Sequence, residues 1–288
     1  MNTLIHPVPT AAMDRIIEMA LAEDNPRGDL TALTIVPEGA TATAVVQARQ
    51  PGVLSGGAVF ARTMQLVDAQ LEVEQLVAEG MAFSAGDDLL KVSGPAASLL
   101  TAERVGLNLL QRMSAIATAT AELVGLVAHT NARIADTRKT TPGLRVLERY
   151  AVRCGGGVNH RDNLSDAFMA KDNHLALLDN GEQLTAALKS VRARLGHTTS
   201  MEVEVDSIEQ IPPVLAAGVD IIMLDNFDPA DIPAAIELIN GQAVVEASGN
   251  INAATVAAVA EAGVDVISSG AITHSVKAID LGLDMVIA

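Results

Sequence analysis

The feature that most constrains the fold is an alternation of short strands and helices that begins after Asn131. Six apolar segments have the composition of strands and read ARIAD, AFMA, MEVEV, DIIMLD, AVVEAS and DVISSG. The last four end near Glu204, Asp225, Ser248 and Ser269, at intervals of 21, 23 and 21 residues. Each interval accommodates one short strand and one helix, which predicts a parallel α/β structure.

The units of this region also repeat in their letters. AGVDIIMLD begins at Ala217 and AGVDVISSG begins at Ala262, 45 residues later. Repetition of compact units favours a closed α/β barrel over an open doubly wound sheet. In such a barrel the chemistry lies at the carboxyl ends of the strands, and polar residues follow every predicted strand here. We therefore expect the functional site on that rim.

The chain before the barrel has a mixed α and β pattern. Apolar residues recur at helical spacing over residues 11–24, and strand patterns cover residues 41–49, 71–80 and 87–95. Two helical patterns, residues 98–113 and 115–130, lead into the barrel. We predict an N-terminal α/β domain over residues 1–113 and a barrel domain over residues 114–274, with the division near Ser114.

The charge distribution limits the kinds of partner. The formal net charge of −16 argues against general binding to nucleic acid or to an anionic membrane. Seven of the 19 lysines and arginines nevertheless lie among the 34 positions from Arg138 to Lys171. The single cysteine excludes an internal disulfide, and no run of about 18 apolar residues occurs. We expect a cytoplasmic protein with a local anion site.

Five basic side chains are predicted at the barrel rim: Arg138, Lys139, His160, Arg161 and Lys171. Arginine presents a planar fork that suits carboxylates, whereas lysine is a point charge that suits phosphates. The mixture predicts a substrate that carries both groups. The alternative is that these residues are exposed charges on loops.

Two acids, Glu204 and Asp225, end neighbouring predicted strands. Carboxylates in this position suit Mg²⁺, which keeps water or substrate oxygens in its remaining coordination positions. We select Glu204 rather than Glu202 or Asp206 as the acid of its strand that faces the site. The alternative is that both acids only neutralise nearby cations.

Two Ser-Gly steps follow the last two predicted strands. Ser248, Gly249 and Asn250 follow one strand, and Ser269 and Gly270 follow the next. Backbone N–H groups at such a step can bind a terminal phosphate, and two of them on successive strands form the phosphate site typical of these barrels.

Other polar residues have a structural interpretation. Arg145, Arg149 and Arg153 recur every four residues, which predicts one helix face with an ion pair through Glu148. Cys154 has no obvious base to pair with, so we expect it to be a small structural side chain and not a nucleophile.

Taken together, the motifs resemble one enzyme family. The segments are DTRKTTPGLR, YAVRCGGGVNHRDNLSDAFMAKDNH, EVEVDS, IIMLDNF, EASGNI and GAITHSVKAIDLGLDM, with AEDNPRGDLT and LTAERVGLNLLQRMSAIAT nearer the N-terminus. They closely resemble the quinolinate phosphoribosyltransferases. The resemblance implies an N-terminal α/β sandwich and a C-terminal α/β barrel with parallel strands. It also implies that a tail over residues 275–288 joins the first domain.

The resemblance also implies roles for individual residues. Quinolinate's two carboxylates would be bound by Arg138, His160, Arg161 and Lys171, and by Arg104 from the neighbouring subunit of a homodimer or a higher assembly. Lys139, Glu204 and Asp225 would contact phosphoribosyl pyrophosphate and Mg²⁺, with Glu204 and Asp225 as the metal ligands. The 5′-phosphate of phosphoribosyl pyrophosphate would lie at Ser248, Gly249, Asn250, Ser269 and Gly270. Asn250 stands where some members carry glycine.

The implied activity is phosphoribosyl transfer to quinolinate with loss of CO₂, giving nicotinate mononucleotide and pyrophosphate for NAD biosynthesis. Catalysis would rest on Lys139, Lys171, Glu204 and Asp225, without a decarboxylation cofactor. One alternative is a Schiff-base lyase that uses Lys171 or Lys139 as nucleophile. The other is an anion-binding paralogue of the same fold, such as the relatives associated with molybdenum transport.

Overall fold

The structure is a computed structural model that describes residues 5–177 and 182–286. It divides into two compact units. The first takes in the chain up to residue 121, residues 140–156 and the chain from residue 272, and the second comprises residues 122–139 and 157–271. The predicted domain bounds also include residues 1–4, 178–181, 287 and 288, which lie outside the described residues.

The elements up to the long central helix are α1 Thr10–Asp24, α2 Leu30–Ile35, β1 Thr41–Ala48, β2 Gly52–Val53, α3 Gly57–Val67, β3 Glu72–Gln75, β4 Ala82–Phe83, β5 Asp88–Pro95 and α4 Ala96–Leu126. Those that follow are β6 Arg133–Ala135, α5 Arg145–Cys154, β7 Phe168–Ala170, α6 Asp172–Leu175, α7 Glu182–Arg192, β8 Met201–Val205, a 3₁₀ turn at Ile208–Gln210, α8 Ile211–Leu215, β9 Ile221–Asp225, α9 Ile232–Ile239, β10 Val244–Ser248, α10 Val256–Glu261, β11 Val266–Ser268, α11 Ala271–His274 and β12 Leu281–Val286.

The first unit is built on an antiparallel sheet with the strand order β12-β1-β5-β3. Alternate residues of β1, such as Val46 and Ala48, are buried, as expected for a strand with one face on a core. Phe60 of α3 and Leu107 and Leu110 of α4 pack into the same buried cluster. A helix layer against a sheet confirms the predicted α/β class of this region.

The prediction of two helices over residues 98–130 was wrong, because α4 runs without interruption from Ala96 to Leu126. Ser114, at the predicted break, is buried. Its hydroxyl accepts the N–H of Ser55 and donates to the carbonyl of Ser55, both at 3.1 Å. These bonds pair the Ser114 hydroxyl with Ser55, so the backbone hydrogen bonds of α4 continue through this position.

The second unit contains a six-stranded parallel sheet with the order β6-β11-β10-β9-β8-β7. All six predicted strands occur. The first strand pairs with the last, which is the wrap-around expected of a barrel, and Val158 bridges to Ala135 on the far side of β6. In residues 5–177 and 182–286 no ladder joins β7 to this edge. The prediction of an α/β barrel with parallel strands is confirmed.

Within the described residues, no helix is both long and apolar enough to span a bilayer.

Candidate active site

A cavity of about 430 Å³ lies at the carboxyl ends of the parallel strands. One part of its lining is cationic and consists of Arg138, Lys139, His160, Arg161 and Lys171. The other part consists of Glu204, Asp225, Ser248, Gly249 and Asn250. The structure therefore brings ten of the predicted site residues together around one space. Their individual roles stay predictions.

Three predicted site residues are not among the described residues that line this cavity. Arg104 lies on α4 in the first unit, with its side chain 58% exposed. Ser269 is buried, its N–H donates to the carbonyl of Ala135, and its hydroxyl donates to the carbonyl of Ile251, both at 3.0 Å. Gly270 directly precedes the short helix α11. The residue of this segment that faces the cavity is Ser268.

Asp136 connects the end of β6 to the segment that carries His160. It is fully buried. Its Oδ1 accepts the backbone N–H of His160 at 2.7 Å, and its Oδ2 accepts the Asn159 side-chain amide at 2.6 Å. A buried carboxylate with both oxygens hydrogen-bonded is a rigid anchor. Asp136 therefore fixes His160 and Arg161 beside Arg138.

The cations of the lining differ in their surroundings. Lys171 Nζ forms an ion pair with Glu204 Oε2. Arg161 Nη1 donates to the carbonyl of Ala167 at 3.1 Å. Burial, followed by the charge of Arg138, lowers the pKa of Arg161. An arginine pKa begins far above neutral, so Arg161 stays charged and available to an anion.

The turns after β9 and β10 are joined to each other. Asn226 donates its N–H to the carbonyl of Ser248 at 2.8 Å, and Asn250 Nδ2 donates to Asn226 Oδ1 at 3.2 Å. Gly249 has a φ of +101°, and a Cβ built there would lie 2.2 Å from Asn226 Oδ1. Asn250 has a φ of +51°, a left-handed conformation that asparagine tolerates. Glycine adopts the same conformation, so either asparagine or glycine is compatible with the backbone at this position.

Two buried acids below the lining were not predicted as site residues. Glu202 of β8 and Glu246 of β10 have side chains that are only 3% and 4% exposed. His160 Nε2 lies 3.2 Å from Glu202 Oε2 and 3.5 Å from Glu246 Oε1. Glu246 Oε1 and the hydroxyl of Ser268 are buried and make no hydrogen bond within the described residues.

The titration of these groups follows from their burial. Burial, followed by the charge of Glu202, raises the pKa of Glu246 to about 7, against the opposing effects of His160, Ser268 and Lys171. Burial acts to lower the pKa of His160, but the hydrogen bond to Glu202 and the charges of Glu246, Glu202 and Asp136 outweigh it and raise that pKa. Glu246 is therefore the acid of this cluster whose pKa lies near neutral pH.

His160, Glu202 and Glu246 also have the spacing of a metal site, since one ligand atom from each lies within 4.8 Å of the others. His160 Nδ1, however, accepts the N–H of Arg161 at 2.7 Å, which leaves Nε2 as the protonated nitrogen. Nε2 then donates to Glu202 and offers no lone pair to a metal ion. We interpret this cluster as hydrogen-bonded and proton-sharing.

The residues present fit the predicted Mg²⁺ better at another place. Glu204 and Asp225 line the main cavity and also a second cavity of about 370 Å³, together with Asp172 and Asp206. Carboxylate oxygens next to open space are the donors that Mg²⁺ prefers. The ion pair with Lys171 already balances part of the charge of Glu204.

The missed acids carried a sequence signal. Side chains alternate along a strand, so residues two apart share a face. Glu202 lies two residues before Glu204, and Glu246 lies two residues before Ser248. An acid within an apolar strand, in step with a predicted site residue, therefore points inward.

The predicted ion pairing of Glu148 with the arginines of α5 was wrong, because Glu148 is buried and pairs with Arg112.

Comparisons with known proteins agree with this geometry. The family model "Quinolinate phosphoribosyl transferase, C-terminal domain" matches residues 116–284, and the corresponding N-terminal domain model matches residues 29–114. The nicotinate-nucleotide pyrophosphorylase [carboxylating] of Mycobacterium leprae is 42% identical over 281 residues, which cover 96% of this chain and 97% of that protein.

Two further relatives give the same result. The probable nicotinate-nucleotide pyrophosphorylase [carboxylating] of Bacillus subtilis is 39% identical over 276 residues, which cover 96% of this chain and 94% of that protein. The solved structure of the nicotinate-nucleotide pyrophosphorylase from Francisella tularensis superposes with a TM-score of 0.91 at 36% identity, over 99% of this chain and 100% of that one. The chain belongs to the quinolinate phosphoribosyl transferase family.

Proposed function

We propose that the chain transfers the phosphoribosyl group of phosphoribosyl pyrophosphate to quinolinate and releases CO₂. The products would be nicotinate mononucleotide, pyrophosphate and CO₂, in the de novo synthesis of NAD. Family membership supports the reaction, and the named relatives carry the corresponding enzyme names.

The observation that carries the proposal is the two-part lining of the cavity. Four cationic or hydrogen-bonding side chains, Arg138, His160, Arg161 and Lys171, face the same space and suit a ring with two carboxylates. The Ser248–Asn250 turn supplies a site for a phosphate, with the close backbone approach that Gly249 permits. Lys139 would bind the donor between these groups.

The residues explain the chemistry of transfer. The pyridine nitrogen attacks the anomeric carbon as pyrophosphate leaves, so charge develops on the leaving group. Lys139 would offset that charge, and fixed binding of both substrates reduces the entropic part of the barrier. Glu204 and Asp225 would hold Mg²⁺, which supplies further neutralisation of the pyrophosphate.

Loss of CO₂ follows from the first step. Once the nitrogen carries the ribose, the ring is cationic and can accept the electron pair that the departing carboxylate leaves. No decarboxylation cofactor is then required. The cations that bind the remaining carboxylate keep the ring in place while the C–C bond breaks.

The proposed assembly is a homodimer in which Arg104 enters the site of the neighbouring subunit. Its side chain is 58% exposed on α4. Thr101, one turn earlier, lies 3.4 Å from Asp29 at the start of α2, and Leu30 and Leu33 of α2 are 77% and 73% exposed. An exposed apolar helix next to an exposed arginine supports a contact between copies. Mixing the Arg104→Ala and Lys139→Ala variants would test it. We expect sedimentation to show dimers, and we expect the mixture to regain activity that neither variant has alone.

Cytoplasmic location is also proposed. The chain has a single cysteine, which is buried and forms no disulfide within the chain, as is usual for proteins of a reducing compartment.

The Schiff-base alternative is disfavoured by the surroundings of Lys171. Its ammonium group pairs with Glu204, whereas a lysine nucleophile needs a neutral amine. The anion-binding alternative is separated by calorimetry on the folded protein. We expect quinolinate to bind at least about tenfold more tightly than nicotinate, which lacks the second carboxylate, and Arg161→Ala to remove most of that difference. A folded protein without measurable quinolinate binding would favour the paralogue.

A further inference from the structure

The proposed reaction leaves one requirement that the cavity cations do not explain. When CO₂ departs, its bonding electron pair stays on the ring carbon beside the cationic nitrogen. That carbon must then receive a proton before the product can leave. Arginine cannot supply it near neutral pH, and Lys171 is engaged with Glu204. Lys139 is assigned to the phosphoribosyl donor, and His160 donates from Nε2 to Glu202.

Ser268 lines the cavity and Glu246 does not, and each has a buried polar atom that makes no hydrogen bond within the described residues: the Ser268 hydroxyl, and Glu246 Oε1, which lies 3.5 Å from His160 Nε2. Buried polar atoms without partners are uncommon and call for a functional explanation. Glu246 is 3% exposed and Ser268 is 2% exposed, while Ser268 itself lines the cavity. Ser268 is one of the groups that act to lower the pKa of Glu246, so the two side chains are neighbours. Ser268 therefore connects the buried acid to the space where the ring would bind.

Strand register places this pair next to the cations. Ser268 of β11 is in register with Ala135 of β6, and the cavity residues Arg138 and Lys139 follow that strand. Glu246 of β10 is in register with Val266, two residues before Ser268, so both side chains lie on the inner face. Ser268 thus lies below Arg138, which is predicted to bind a carboxylate, and Lys139, which is predicted to bind the phosphoribosyl donor.

We propose that Glu246 and Ser268 deliver the proton that replaces the departing carboxylate, an inference that rests on the proposed function. The bond from the ring carbon to the carboxyl carbon breaks, and CO₂ leaves. The Ser268 O–H proton moves to the ring carbon, and the serine oxygen takes the proton of Glu246. Glu246 is then a carboxylate, which water reprotonates after the product has left.

The groups that face Glu246 are consistent with this role. Burial, followed by the charge of Glu202, raises the pKa of Glu246 to about 7, while His160, Ser268 and Lys171 act to lower it. His160 in turn donates from Nε2 to Glu202, at 3.3 Å from Oε1, which fixes the Glu202 side chain beside Glu246. Glu202 and His160 would be positioning residues that set how readily the proton leaves.

The test separates the two chemical steps in a single turnover. Pyrophosphate release reports transfer, CO₂ release reports decarboxylation, and chromatography detects the nucleotide that still carries both carboxylates. We expect Ser268→Ala and Glu246→Gln to release pyrophosphate at close to the wild-type rate. CO₂ release should fall by about 10²-fold, and the dicarboxylated nucleotide should accumulate.

Ser55→Ala is the matched control. Ser55 is also a buried serine whose hydroxyl makes no hydrogen bond within the described residues, but it lies in the first unit. We expect this variant to release CO₂ at the wild-type rate. A purely structural role for Ser268 or Glu246 would slow both steps equally, and that result would overturn the proposal.

Two measurements on the wild type guard against variants that fail to fold. CO₂ release should slow in D₂O, and it should decline as the pH rises through about 7, the pKa of Glu246. Release that is insensitive to both would contradict the proposal. If the wild type releases neither pyrophosphate nor CO₂, the proposed function itself fails. Normal release together with unaffected variants removes the proton-delivery proposal alone.

Discussion

Two buried glutamates, one in each unit, show how similar burial serves different purposes. Glu148 in α5 is 1% exposed, and Glu246 in β10 is 3% exposed. Arg112 donates to Glu148 Oε1 from Nε and Nη2 at 3.1 and 2.9 Å, and the N–H of Thr141 donates to Oε2 at 3.1 Å. Glu246 instead has an oxygen with no hydrogen bond in the described part of the chain, and its pKa is raised to about 7.

The difference teaches how a structural acid can be told from a candidate functional one. A buried carboxylate with every oxygen matched stays ionised and joins elements together. One that is left incompletely matched, beside a second acid and a cavity, holds a proton that it can release. The comparison predicts that substitutions at the two positions act on different properties.

The largest effect is expected at Glu148. Glu148→Ala would leave Arg112 without its buried partner, so the free energy of unfolding should fall by about 3 to 5 kcal/mol. Urea denaturation followed by circular dichroism measures it. Glu122→Ala, at an exposed position of α4, is the control and should change stability little. A loss at Glu148 no greater than that of the control would contradict the structural role.

The cations of the cavity should behave in the opposite way. Arg138→Ala and Lys139→Ala should each lower turnover by about 10²- to 10³-fold, because developing or bound negative charge loses its partner. Their unfolding transitions should remain close to that of the wild type. Steady-state kinetics and denaturation on the same preparations would decide, and near-normal turnover in both variants would refute the proposed site.

A smaller effect concerns the pH dependence of stability. The pKa of Glu246 is raised from an ordinary 4.5 to about 7, so between these values the folded protein binds more protons than the unfolded chain. The free energy of unfolding should therefore fall as pH rises through about 7. Glu246→Gln lacks this loss, so it should gain about 2 kcal/mol relative to the wild type between pH 5 and pH 8. A stability difference that is independent of pH would contradict this assignment.

The smallest effect is expected for an exposed acid. Glu261 Oε1 lies 2.9 Å from His129 Nε2, with side chains that are 60% and 55% exposed. Glu261→Ala should change the free energy of unfolding by less than about 1 kcal/mol, because exposed ion pairs are screened by water. A larger loss of unfolding free energy, measured by urea denaturation, would show that burial does not explain the difference between Glu148 and Glu261.

Much of the fold and of the cavity was predictable from local patterns. The spacing of the strand and helix units identified the parallel sheet, and the polar ends of the strands identified most of the residues around the cavity. Both predictions depend on local sequence rules, namely that side chains alternate along a strand and that polar residues follow the strand ends. Family resemblance then added expected roles for individual residues, such as Arg104, that periodicity does not encode.

The rest depended on contacts between distant residues. The partner of Glu148 is Arg112, 36 positions away, and the one that satisfies Ser114 is Ser55, 59 positions away. Neither pairing has a local signal. Ser269 was selected where Ser268 faces the cavity, because the end of β11 could not be placed to a single residue and a shift of one residue reverses the face.

The most direct test of the central claim is quinolinate-dependent release of CO₂ in the presence of phosphoribosyl pyrophosphate and Mg²⁺, with nicotinate in parallel. We predict CO₂ and nicotinate mononucleotide in equal amounts from quinolinate, and little or no nucleotide from nicotinate. Absence of CO₂ from a folded, metal-supplied sample, or equal use of nicotinate, would contradict the claim that the cavity recognises both carboxylates.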